Sequence, residues 1–257
     1  MSDTHAIYPS LKDMPVVISG GASGIGEALV RAFAAQGARV GFVDIQADAG
    51  NALAAELTDA GGVVKFTSCD ITDIDAYRAA IAGFAEAHGD ALALVNNAAN
   101  DDRHAWNEVT PDYWDQRMAV NLKHAYFAIQ AVAPGMIAAG KGSIINFGSI
   151  AWMIMTDRIP VYSTAKAAMH GLSRSMAREL GPHGIRVNTL APGAVKTERQ
   201  ERLWYTPDTQ ANIFQIQALK QQIMPADVAP MVLFLASDDS RLITAQDFLV
   251  DAGWAHG

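Results

Sequence analysis

A single cysteine, Cys69, stands among 257 residues, so no disulfide can form within the chain. That fits a reducing cytoplasm, with Cys69 expected as a small buried residue near a strand end. No apolar run approaches the ~20 residues needed to cross a bilayer. The start, MSDTHAIYPSLKD, lacks the charged-then-apolar pattern of a secretion signal. Basic residues are scarce: 19 Lys and Arg face 27 Asp and Glu, a net charge of −8, and none cluster. A nucleic-acid partner needs a basic face, and an anionic membrane repels an acidic protein, so neither is expected. The seven histidines and one cysteine form no ligand-spaced group, so no metal is expected. No linker, low-complexity tract or internal repeat divides the chain.

Half of the residues are hydrophobic, and their pattern alternates between short β-rich runs and longer helical stripes. Strands are predicted at Pro15–Ser19, Arg39–Asp44, Val63–Ser68, Ala91–Asn96, Ser143–Gly148, Ile185–Leu190 and Asp247–Val250. Helices are predicted at Gly24–Gln36, Gln46–Ala60, Asp73–His88, Pro111–Ala139 with a break at Pro134, Val161–Leu180 and Ala226–Ala236. A polar loop covers Ala98 to Val109. Residues 194–222, with Trp204, Tyr205 and Phe214, read as an insertion over the active site. Strand–helix alternation implies right-handed βαβ units and one α/β domain, a doubly wound parallel sheet with a helical lid. Ligands of such sheets bind at the carboxyl ends of the strands.

The first strand runs into Ser19-Gly20-Gly21-Ala22-Ser23-Gly24-Ile25-Gly26. Glycines at 20, 24 and 26 permit a tight turn and let backbone N–H groups approach a pyrophosphate, and the helix behind adds its partial positive charge. This is the signature of a Rossmann-type dinucleotide site. Asp44 ends the second strand, eighteen residues past Gly26. Its carboxylate suits the adenosine ribose hydroxyls and repels a 2′-phosphate, which favours NAD; it also suits a helix N-cap. Asp70, followed by Ile71, fits either an adenine contact or the cap of the helix beginning near Asp73. The small residues Ala98 and Ala99 would lie against the cofactor, while Asn97 reads as a tie between strands.

Tyr162 and Lys166 lie four apart at the start of a long helix, on one face. Ser149 precedes Tyr162 by thirteen residues, just after the fifth strand, and Asn121 lies in the helical region before it. The Gly20/Gly24/Gly26 loop, Asp44, Asn96–Ala99, Asn121, Ser149, Tyr162-x-x-x-Lys166 and Pro192-Gly193 with Thr197, in this order, resemble the short-chain dehydrogenase/reductase family over essentially the whole chain. Ser19 and Ala99 depart conservatively from its usual Thr and Gly. The resemblance implies Tyr162 as the base, Ser149 as the residue orienting the substrate oxygen, Lys166 on the nicotinamide ribose and Asn121 anchoring a water that leads from Lys166 to solvent. It implies cofactor contacts from Ser23, Ile25, Pro192, Gly193, Val195 and Thr197 as well. A tyrosine base working near pH 7 must have its pKa lowered from ~10, which takes about 4 kcal/mol of phenolate stabilisation. Lys166 and the cationic nicotinamide are the expected sources.

The loop Asn100-Asp101-Asp102-Arg103-His104 is unusually polar, and aromatics stand at Trp152, Trp204 and Tyr205. Polar groups for hydroxyls and flat rings for C–H faces suit a polyhydroxylated ligand. The bland alternative is a solvated loop beside lid core. Segments such as NNAANDDRH, INFGSI, VKTERQE and the ending DAGW resemble bacterial aldose 1-dehydrogenases of the family, those acting on D-xylose foremost and on L-arabinose or L-fucose next. Asn100, Arg103, Ser149, Trp152, Asp157 and Trp204 are the candidate substrate contacts. Competing readings are a dehydrogenase of another secondary alcohol or a 3-oxoacyl substrate, and a non-catalytic cofactor sensor, which would be expected to lose the Tyr/Lys pair. The helix at 161–180 and the C-terminal strand with Trp254 suggest interfaces of a homotetramer.

Overall fold

The computed structural model describes residues 6–255. The first five residues of the stretch read for a secretion signal lie outside it. Seven parallel strands form one sheet: β1 (Pro15–Ser19), β2 (Arg39–Asp44), β3 (Val63–Ser68), β4 (Ala93–Asn96), β5 (Gly142–Phe147), β6 (Ile185–Pro192) and β7 (Asp247–Val250). Their order is β3-β2-β1-β4-β5-β6-β7. The order reverses between β1 and β4, and the crevice at that switch point is where such sheets hold ligands.

Helices cover both faces. On one lie α1 (Gly24–Ala35), α2 (Ala47–Asp59) and α9 (Pro225–Ala236); on the other α3 (Ile74–His88), α4 (Pro111–Met118), α5 (His124–Ala139) and α6 (Pro160–Leu180). The first core joins Leu29 and Phe33 of α1, Val232 and Leu233 of α9, and Ile18, Phe42 and Val95 of the sheet. The second joins Tyr77, Ile81 and Phe84 to Ile129, Met136, Leu94 and Val187. Truncating any of the fully buried large residues among these to Ala costs about 2–5 kcal/mol. Strand β2 carries Gly41 because a Cβ there would come within 2.5 Å of the Phe84 ring.

Two departures from the sequence expectation have physical reasons. Pro134 does not break its helix: it sits on the exposed side of α5, and the carbonyl it deprives of a partner belongs to exposed Gln130, within reach of water. The irregularity falls instead at a π turn, Ala119–Lys123, between α4 and α5. Strand β6 continues to Pro192 because β7 pairs with it to the end, Pro192 opposite Val250.

Residues 194–222 leave the sheet as an excursion carrying α7 (Glu198–Leu203) and α8 (Pro207–Ile216). Its base is pinched by a parallel bridge between Val195 and Ile223, with Lys196 N–H donating to the Ile223 carbonyl at 2.8 Å. Among the described residues, no helix is long and apolar enough to cross a membrane.

Candidate active site

A cleft of about 850 Å³ opens along the carboxyl ends of the strands. Its first wall is the glycine turn. Gly20 and Gly24 have φ of 69° and 57°, the left-handed region that costs other residues strain. A Cβ on Gly26 would lie 1.7 Å from the Gly20 carbonyl oxygen, so no side chain fits there. Ser23 precedes α1 without capping it, its hydroxyl accepting from Gln46 Nε2 instead at 2.9 Å. The first amides of α1, behind Ile25 and Gly26, thus keep their donors for an anion. This bare cradle fits a pyrophosphate.

Asp44 borders the cleft at 8% exposure. Its carboxylate accepts the Ala22 and Gln46 amides, both at 3.0 Å, so it is held in place but caps no helix. Asp70 and Ile71 also line the cleft. Of the two readings of Asp70, the helix cap falls to Asp73, which accepts from Ala76 N–H, while Asp70 closes a local turn on Thr72. Asn97 donates from Nδ2 to the carbonyls of Ser19 and Gly20, both at 3.0 Å, sewing the end of β4 to the glycine turn. The Ser19 hydroxyl accepts the amides of Asn97 and Ala98 in return. Ala98 and Ala99 line the cleft beyond them, and Pro192, Gly193, Val195 and Thr197 line it opposite. Thr197 caps α7 through the Gln200 amide.

Tyr162 lies in the first turn of α6 and Lys166 one turn on, its Nζ 5.7 Å from the centre of the Tyr162 ring. Lys166 is 1% exposed and donates to the Phe147 carbonyl at 2.7 Å. Burial pushes its ammonium down to about 8, with Asp101 acting against the shift. The chain's own groups push the phenol of Tyr162 in the opposite direction. Burial raises its pKa, Asp101 adds to that, and the hydrogen bond with Ser149 and the guanidinium groups of Arg103 and Arg199 oppose it. Without a cationic nicotinamide, the chain's own groups leave this tyrosine protonated. Ser149 begins a short turn over Ile150–Trp152, its Oγ accepting the Ala151 amide at 3.1 Å.

Asn121 sits in the π turn, fully buried, and does not reach the cleft wall. Its Oδ1 accepts the Asn100 amide at 2.8 Å, and its Nδ2 donates to the carbonyls of Asn100 and Arg117. It therefore fixes the loop after β4. Nearby His124 is fully buried and kept neutral, pushed down to about 3 by burial first and by the Lys166 charge second.

The polar loop is clamped rather than solvated. Arg199 of α7 bridges Asp101 and Asp102, Gln200 donates to Asp101 at 2.7 Å, and Arg117 reaches Asp102 at 3.2 Å. Arg103 lies over the Trp204 ring, 5.3 Å from its centre. Asn100, Arg103, Ser149 and Trp204 border the cleft. Trp152 and Asp157 do not: the Trp152 indole turns away to donate to His170, and Asp157 is exposed outside the wall. Sequence reading missed Asp101, Gln200 and Trp254 as cleft residues. The segment that carries Trp254 is fixed by Asp251, which accepts the amides of Gly253, Trp254 and Ala255. Only the polarity of the Asn100–His104 loop hinted at any of these.

A family model described as enoyl-(acyl carrier protein) reductase matches residues 20–255. The D-xylose 1-dehydrogenase of Caulobacter vibrioides is 51% identical over 251 residues, covering 98% of this chain and 99% of that protein. A probable galactose dehydrogenase of Rhizobium meliloti is 47% identical over 247 residues, covering 96% of each. Among solved structures, a 3-oxoacyl-(acyl-carrier protein) reductase with bound NAD from Brucella melitensis has a TM-score of 0.89 at 32% identity, covering 98% of this chain and 94% of that one.

Proposed function

The chain belongs to the short-chain dehydrogenase/reductase family, and from that membership we propose that it oxidises an aldose at C1 with NAD, D-xylose being the first candidate. It is a dehydrogenase acting on CH–OH groups; the sugar, the cofactor preference and the residue roles are our reading. The observation that carries it is one cleft lined by the glycine cradle, Asp44, the Ser149/Tyr162/Lys166 group and a polar end roofed by Trp204 and Trp254. The relatives named for D-xylose and galactose support the same substrate class.

Asp44 holds a negative charge where the adenosine ribose would lie, which favours two hydroxyls over a 2′-phosphate. When bound, NAD supplies the acceptor for the hydride leaving C1. Tyr162 Oη takes the proton of the anomeric hydroxyl, and Ser149 Oγ holds that oxygen in line. Lys166, anchored on the Phe147 carbonyl, keeps a cation beside the phenol and so favours the phenolate. Oxidation at C1 of a cyclic aldose gives a lactone. Asn100, Arg103 and Trp204 are the residues we assign to the remaining hydroxyls and ring face. The lone thiol, Cys69, is buried and its pKa raised by burial, in keeping with a structural residue in a reducing compartment.

The test is NAD reduction by the purified protein with D-xylose, D-galactose, L-arabinose, L-fucose and a simple secondary alcohol, each repeated with NADP. Fast turnover of an aldose with NAD and slow turnover with NADP is the expected result. Turnover of the simple alcohol alone would overturn the sugar assignment, and equal use of NADP would overturn the role given to Asp44.

A further inference from the structure

His170 lies two turns past Tyr162 on α6, and nothing in the chemistry above uses it. It is 7% exposed and makes two hydrogen bonds through its ring. Nδ1 is 2.7 Å from Asp247 Oδ1, and Nε2 is 3.1 Å from Trp152 Nε1. An indole N–H only donates, so Nε2 is the bare nitrogen and Nδ1 carries the proton directed at the carboxylate. Arg174, one turn further along α6, also reaches Asp247, at 3.4 Å. The chain Asp247–His170–Trp152 therefore joins the first residue of β7, the middle of the catalytic helix and the turn that follows β5.

We propose that His170 is a positioning residue for Ser149: through Trp152 it holds the Ile150–Trp152 turn, and with it the serine hydroxyl, against the helix that carries Tyr162 and Lys166. This rests on the reading of Ser149 as the group that orients the reacting oxygen.

Three features carry it. The turn starts at Ser149, whose Oγ accepts the Ala151 amide, and ends at Trp152 on His170, so both of its ends are fixed. The imidazole also packs on the main chain one residue before the serine, where a Cβ on Gly148 would come 2.6 Å from His170 Nε2. Finally, Trp152 is 41% exposed yet aims its N–H inward, so the hydrogen bond rather than burial sets its direction. Past Trp152 the chain is irregular until α6, with Met155 and Arg158 at φ of 52° and 59°. The amides of Met153 and Ile154 close the turn on the Ile150 carbonyl and that of Thr156 on the Ala151 carbonyl, and the Trp152–His170 bond ties the turn to α6.

The experiment is a double-mutant cycle. Trp152→Phe keeps the ring and removes the donor; His170→Asn keeps a partner for Asp247 and removes the acceptor. Each is made alone and together with Ser149→Ala, and assayed with NAD and whichever alcohol of the panel above is turned over fastest. Each single variant is expected to lower kcat about tenfold, as a catalytic group displaced by a fraction of an ångström does, with NADH affinity by fluorescence titration unchanged. In the Ser149→Ala background neither is expected to lower kcat further, because the group they position is gone. Trp152 is half exposed, so its Phe variant folds and decides the matter if His170→Asn does not. Full kcat in Trp152→Phe would overturn the proposal, as would an equal loss in the Ser149→Ala background, which marks a general structural effect. Full turnover in Ser149→Ala alone would instead remove the serine's role, and the tether's purpose with it.

Discussion

Lys166 shows how a buried side chain can cost stability. Its ammonium is buried, and its pKa falls from the usual 10.5 to about 8. Between those values the unfolded chain binds more protons than the folded one, so stability rises with pH across that window. The penalty is present in full below about 8 and is relieved as pH climbs toward 10.5. Replacing the charge with Lys166→Met removes the penalty and gives up one hydrogen bond to Phe147. We expect the ligand-free variant to gain about 1–2 kcal/mol at pH 7, read as a Tm higher by about 2–4 °C, while turnover is lost. An unchanged or lower Tm would show that the hydrogen bond outweighs the desolvation. At Tyr162 the balance runs the opposite way, since burial already favours the neutral phenol. Tyr162→Phe keeps that burial, so stability and NADH binding should persist while kcat falls by about 10²–10⁴. Turnover within a few-fold of the parent would remove Tyr162 from its role.

The lid is held at the scale of elements. Its base is closed by the Val195–Ile223 bridge, and α7 is held by the fork of Arg199 on Asp101 and Asp102. Arg199 is partly exposed, so each ion pair is worth at most about 1 kcal/mol, but two pairs and the Gln200 contact act on one short helix. Arg199→Ala should loosen α7 over the polar end of the cleft and leave the glycine cradle alone. The expected outcome is a KM for the alcohol raised about five- to tenfold, with the Kd for NADH within twofold, since 1.4 kcal/mol is a tenfold change. Steady-state kinetics and a fluorescence titration together check it; equal losses of both affinities would mean that the clamp supports the whole cleft.

On the scale of the whole molecule, the sheet order sets the cleft, and the outer faces of α5 and α6 are left for other contacts. Part of the Ala/Met stripe on α6 is spent inside the fold, because Ala165 and Met169 are fully buried against the protein's own core. In the middle of that helix Ala167 and Ala168 are half-buried and Gly171 is exposed with nothing near its absent Cβ, while Arg174, Arg178 and Glu179 are exposed toward its end. Small residues permit close approach of a second helix. We expect a homotetramer, and sedimentation at micromolar concentration checks it; a monomer throughout would rule out pairing through this face.

Strand positions, the glycine turn, Asp44 at its strand end and the Tyr162/Lys166 pair follow from the sequence alone, because each depends on neighbours within a turn or two. Residue alternation makes a strand, absent Cβ atoms make the turn, and a spacing of four puts two side chains on one helix face. The loops were less legible. Arg199 and Asp101 are 98 positions apart, and His170 and Asp247 are 77 apart. Asn121 spends its amide on the main chain of Asn100 and Arg117, and Trp152 faces His170 rather than the cleft. No local pattern encodes these choices, since they depend on which loops the sheet brings together. The direction of the Tyr162 shift belongs with them: the residue type allowed a base, but its half-buried place on the cleft wall near Asp101 decides which way the chain's own groups push its pKa.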